Sequence, residues 1–192
     1  KRQIVMLGNV PEWHVVMVGM IKLGVVPIPT TTQCTSGDLK YRVNRAKADM
    51  VITDRANAVK FDDIRSECPS LKYLILIDGR RGGWLNYEEM LTLASPELTG
   101  IKPTRSDDPM LLYFTSGTVG YPKMVLHTQA SYGIAHLITA KFWQDLKPSD
   151  LFWTISDMGW AKAAWSKLFG QWTIGSCLFL HDAGAKFDAS LT

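Results

Sequence analysis

Short apolar runs alternate with helix-length segments through residues 3–93, and this alternation constrains the fold more than any other feature of the chain. Residues 3–7 form an apolar run closed by Gly8 and Asn9, and residues 12–23 have the length and the Gly24 stop of a buried helix. A second strand is predicted at 25–28. The caps Thr35, Ser36, Gly37 and Asp38 then open a helix to about residue 46, with Leu39 and Val43 on one face. Strands at 50–53 and 73–77 and helices at 58–66 and 87–93 continue the series. Strands that are apolar on both faces and separated by helices predict an α/β fold, with parallel sheets flanked by helices.

Residues 95–109 carry three prolines and the adjacent Asp107 and Asp108. They read as a linker between a first βα block, 1–94, and a second, 110–192. The second block is predicted to open with a strand at 110–115, a Gly-containing loop at 116–122 and a strand at 124–127. A helix at 130–142, a strand at 151–154, a tryptophan-rich helix at about 160–172 and a strand at 177–180 follow.

At 192 residues, with 46% hydrophobic and 20% charged, the chain can bury a core and is not a disordered segment. Its 21 Lys and Arg against 18 Asp and Glu are scattered, which argues against a nucleic-acid partner. Cys34, Cys68 and Cys177 are odd in number and far apart, so neither a disulfide framework nor a metal knuckle is expected. A reducing, intracellular compartment, the cytoplasm, fits that usage. The longest apolar stretch, 15–21, falls short of the roughly 18 residues of a membrane span. There is no initiator Met, and the chain is expected to begin within a longer protein.

The chemistry is concentrated after the strand at 110–115, in Thr115, Ser116, Gly117, Thr118, Val119, Gly120, Tyr121, Pro122 and Lys123. Glycines let backbone N–H groups approach an anion, hydroxyls add donors, and a lysine supplies a mobile positive charge, so phosphate is the natural ligand. Lys123 follows Pro122 and precedes Met124, so this is not a Walker A loop, and GxGxxG is absent. A plain solvated turn is the bland alternative. Asp107 and Asp108 could be a metal pair but read better as a solvated lead-in to a strand. His14, His127, His136 and His181 lack ligand spacing, and no metal site is assigned.

The loop resembles the signature of the adenylate-forming superfamily at Thr115, Ser116, Gly117, Thr118, Gly120, Pro122 and Lys123. Asp157-Met158-Gly159-Trp160, followed by an aromatic helix, resembles the acetyl- and medium-chain acyl-CoA synthetases, where this segment stands near the acyl pocket. Gly8 to Trp13 and Gly24 to Pro29 extend the likeness over nearly the whole chain, closest to the medium-chain synthetases. The resemblance implies part of the large N-terminal domain, without the mobile C-terminal domain and its adenylation lysine. It further implies that ATP activates a carboxylic (fatty) acid to an acyl-adenylate, releasing pyrophosphate, and that coenzyme A then forms the thioester.

Residues 115–123 would bind the ATP phosphates, with Lys123 and Thr115 catalytic, Mg²⁺ accompanying ATP, and Gly159 and Trp160 contacting the acyl group. Trp165 and Trp172 read as core aromatics. Val119 replaces the family's usual hydroxyl residue, and Met124 a common glycine. A mitochondrial matrix location is expected if the source is eukaryotic, and the isolated chain is expected to be inactive. A non-catalytic nucleotide-binding fragment, or another adenylate-forming enzyme such as a peptide-synthetase adenylation domain, remains the alternative.

Overall fold

A computed structural model of the chain describes residues 1–116 and 120–182. Five parallel strands form its main sheet: β1 (Arg2–Met6), β2 (Val26–Pro29), β3 (Met50–Thr53), β4 (Tyr73–Leu76) and β5 (Leu85–Asn86), in the order β2-β1-β3-β4-β5. The helices α1 (Pro11–Lys22), α2 (Ser36–Ala46), α3 (Arg55–Asp62) and α4 (Tyr87–Leu93) connect or follow these strands.

Successive strand residues face opposite sides of a sheet, and here they divide between two cores. Val5 and Leu7 of and after β1, Ile52 of β3 and Ile75 of β4 pack with Trp13, Met17 and Met20 of α1. Ile4 and Met6, Val51 and Leu74 pack on the other side with Leu39 and Val43 of α2 and Phe61 of α3. The double-sided apolarity of the strands is therefore what the sandwiched sheet requires.

The helix ends follow local chemistry. Pro11 occupies the first turn of α1, whose Glu12 and Lys22 lie at the ends favoured by the helix dipole. Thr35 and Asp38 form a reciprocal capping box on α2. The predicted start of the third helix shifts to Arg55, because Asp54 accepts a hydrogen bond from the Asn57 N–H at 2.9 Å and caps the helix earlier than hydrophobic spacing indicates.

Beyond the proline-containing stretch, β6 (Pro109–Thr115) and β7 (Lys123–Thr128) form an antiparallel pair. The direction follows from length: residues 116–122 are too few for a parallel crossover, which takes about a dozen residues or more. Lys123, between the predicted loop at 116–122 and the predicted strand at 124–127, is the first residue of β7. β6 packs beside β2 and spans both cores, with Leu111 and Tyr113 in one and Leu112 in the other.

α5 (Gln129–Ile138) continues into a π-helical turn, Thr139–Trp143. β8 (Leu151–Trp153) and β9 (Cys177–Phe179) pair in parallel. Between them lie α6 (Ala161–Ala164), a second π-helical turn, Trp165–Phe169, and α7 (Gly170–Ile174). The two π-turns meet at Gly170, where a Cβ would stand 2.9 Å from the Trp165 carbonyl and 3.0 Å from Ala140 Cβ. No described helix is long and apolar enough to cross a membrane.

Candidate active site

The mouth of the β6–β7 hairpin is fixed by register, which sets Thr115 directly opposite Lys123. Thr115, Ser116 and Lys123 are all exposed there. Gly120 has φ +91°, a left-handed conformation that disfavours a Cβ, although none of the described residues lies within 4 Å of where one would stand. Gly117, Thr118 and Val119 lie outside the described residues.

Gly159 is needed for the opposite reason. A Cβ at this position would fall 1.9 Å from Thr31 N and 2.2 Å from the Thr30 carbonyl carbon, so backbone here lies on backbone. The turn is locked from within, because Asp157 Oδ1 accepts the Gly159 N–H at 2.7 Å. Thr30 is in turn fixed to the main sheet, its N–H donating to the Val5 carbonyl at 2.8 Å.

This contact brings the two singled-out stretches together. Thr115 and Ser116 share a cleft of about 440 Å³ with Gly159 and Trp160, and Trp160 is 57% exposed at its wall. Trp165 is half-buried, stacked on His136 at 5.9 Å, whereas Trp172 is about half exposed and leans on the His14 ring. Trp172 is thus not the core residue that its composition suggested.

Cleft-lining residues that sequence reading missed are Thr31, Gln33 and Arg42. The Arg42 guanidinium lies 5.1 Å over the Phe114 ring, and its Nε is buried with no hydrogen-bond partner among the described residues. The available signal was its position on α2, just off the face that Leu39 and Val43 bury.

Lys167 braces the far side. It is buried, and its ammonium donates to Asn9 Oδ1 at 2.5 Å and to the Ser156 carbonyl at 2.6 Å, tying the segment after β1 to the approach to Asp157. Burial pulls its pKa down to about 8, against the opposing pull of Asp157. His14 Nε2 donates to the Lys167 carbonyl at 2.8 Å, and burial lowers the His14 pKa.

A second cleft, of about 590 Å³, lies where the strand order reverses between β1 and β3, the usual place for ligands in such sheets. Its walls carry Glu12, Asp54 and Asp78, and the last two cap α3 by accepting the Asn57 and Arg55 N–H groups. That wall repels a polyphosphate. Asp107 pairs with Arg105, and Asp108 accepts the Arg105 N–H, which is the lead-in role expected of them. Among the described residues no three His, Cys, Asp or Glu side chains cluster so as to hold a metal.

The family model for AMP-binding enzymes matches residues 1–192. The chain belongs to the AMP-binding enzyme family. As a member, it is 44% identical over 182 residues to the mitochondrial acyl-coenzyme A synthetase ACSM5 of Mus musculus and 46% identical to that of Homo sapiens. It is 43% identical over 181 residues to human mitochondrial ACSM3. These alignments cover 94% of this chain and 31% of each relative, so the chain spans about a third of their length. The fold matches the anthranilate CoA ligase AuaEII, solved with anthranoyl-AMP, at a TM-score of 0.89 and 20% identity, over 96% of this chain and 36% of that one.

Proposed function

We propose that this AMP-binding segment contributes the phosphate-binding loop and one wall of the acyl cleft to an enzyme that converts a carboxylic acid into its coenzyme A thioester. A carboxylate oxygen attacks the α-phosphorus of ATP, the bond to the β-phosphate breaks and pyrophosphate departs. The coenzyme A thiol then attacks the acyl carbon and AMP leaves. The observation that carries this reading is the shared cleft, which Thr115 and Ser116 line together with Gly159 and Trp160. The likeness to acyl-coenzyme A synthetases supports it independently.

Negative charge builds on the departing pyrophosphate, and the catalytic need is positioned donors and a cation rather than a nucleophilic side chain. In this reading Lys123 and Thr115 act on the β- and γ-phosphates from opposite strands, and Ser116, Gly120, Tyr121 and Pro122, with residues 117–119, complete the loop. Trp160 and Gly159 bound the acyl group. Mg²⁺ would accompany ATP and supply charge neutralisation at its phosphates. The named relatives are mitochondrial, which supports a mitochondrial location.

The test is Lys123→Ala in the full-length enzyme, assayed on both half-reactions. Losing one preorganised charge costs about 10²–10³ in kcat for adenylation. Thioester formation from synthetic acyl-AMP involves no pyrophosphate and is expected to change little. Equal damage to both halves would remove Lys123 from the leaving group.

A further inference from the structure

Tyr41 sits on α2 between Leu39 and Val43, both of which are buried in the core. At about 100° per residue it points away from that core, where a surface helix ordinarily carries a polar side chain. All of its described polar and ring contacts lie instead on the β6–β7 hairpin. Its hydroxyl donates to the Pro122 carbonyl at 3.0 Å. Its ring stacks on Tyr121 with centroids 4.8 Å apart and planes 17° apart, and meets Phe114 edge-on at 6.1 Å.

Tyr121 is 75% exposed and follows Gly120, so without this stack little would hold the exit of the loop. α2 is a firm base for such a clamp, because its N-terminus is doubly capped and Leu39, Val43 and Ala46 are fully buried. The entry of the loop is already fixed by the Thr115–Lys123 register. Both described arms of the loop are then tied to rigid elements, which is the preorganisation that stabilising a pyrophosphate leaving group demands.

We propose that Tyr41 is a positioning residue that clamps the exit of the phosphate-binding loop to α2 through the Pro122 carbonyl and the Tyr121 ring. The proposal rests on the phosphate role given above to residues 115–123. It assigns to a helix of the first sequence block, 81 residues before Pro122, a share in nucleotide affinity.

The experiment compares Tyr41→Phe, Tyr41→Leu, Tyr121→Leu, the Tyr41→Leu/Tyr121→Leu double variant and Lys123→Ala in the full-length enzyme, with the KM for ATP, the KM for the acid and the Tm of each. Tyr41→Phe keeps the stack and loses one hydrogen bond, so the KM for ATP rises about threefold. Tyr41→Leu loses both contacts and raises it about tenfold. The KM for the acid stays unchanged. Tyr41→Leu and Tyr121→Leu remove the same stack, and the double variant is expected to fall well short of the product of the two.

Equal effects of the Tyr41 variants on both substrates, or none on either at unchanged Tm, would overturn the clamp while a damaged Lys123→Ala enzyme left the phosphate reading standing. A Lys123→Ala enzyme with normal adenylation would overturn that reading, and the positioning role with it. If Tyr41→Leu does not fold, Tyr41→Phe decides alone.

Discussion

Two glycines of the site show how one residue type serves unlike needs. Gly120 is required by its backbone angle, with none of the described residues near a Cβ there, while Gly159 lies outside the left-handed region and has no space at all. Gly120→Ala therefore carries only the left-handed penalty, about 1–2 kcal/mol, visible as a lowered Tm. Gly159→Ala is expected to be worse, because a methyl 1.9 Å from Thr31 N forces backbone apart; overpacking costs typically about 1–3 kcal/mol and occasionally more. A Tm for Gly159→Ala equal to that of the parent would contradict this packing. That a glycine-containing turn joins two strands here was legible in the sequence, because turn residues are signalled locally. Arg42 and Tyr41 were not legible, since what they meet lies on a strand pair far along the chain, and nothing in α2 itself names that partner.

Among the elements, α2 was legible to within a residue because Thr35 and Asp38 mark its start, whereas α3, capped by Asp54, begins three residues before the predicted position. The antiparallel β6–β7 pair was read as two strands without a direction, because alternation of apolar residues does not encode pairing. The π-turns left no mark in the periodicity. Half-buried beside them, His136 sits 4.2 Å from the Tyr132 ring and stacked on Trp165, and burial, with His127 nearby, lowers its pKa to about 4. In the unfolded chain it titrates near 6.5. The unfolded state thus binds the extra proton first as the pH falls, so the contribution of neutral His136 is complete above 6.5 and is lost between 6.5 and 4. The loss is expected to reach about 2 kcal/mol. Comparing acid unfolding of the parent with His136→Gln reads it out: the parent should lose more stability over that interval, and parallel curves would refute the assignment.

At the scale of the molecule, the two sequence blocks share their cores: Met110, Leu111, Tyr113 and Tyr132 pack with Trp13 and Met17. Ile134 and Ile138 lie one turn apart on α5 and are 62% and 55% exposed, and Phe142 and Trp143 follow at 75% and 71%. An apolar stripe of this kind is a surface that aggregates when left bare. The 192-residue chain on its own is accordingly expected to bind hydrophobic dyes and to release no pyrophosphate from ATP and octanoate. Pyrophosphate above a protein-free blank would show that this third of the relatives' length suffices for adenylation. The seating of Gly159 on Thr30 and Thr31 also bears on the order in which the molecule is made. The contact closes a long loop of chain, and such closures cost entropy before they return any stabilisation. During synthesis the parallel sheet can pair as soon as β5 has emerged, whereas the cleft has no second wall until residues 157–160 leave the ribosome. The cleft is thus a late product of folding, and a ribosome stalled short of that point holds the sheet with only one wall of it.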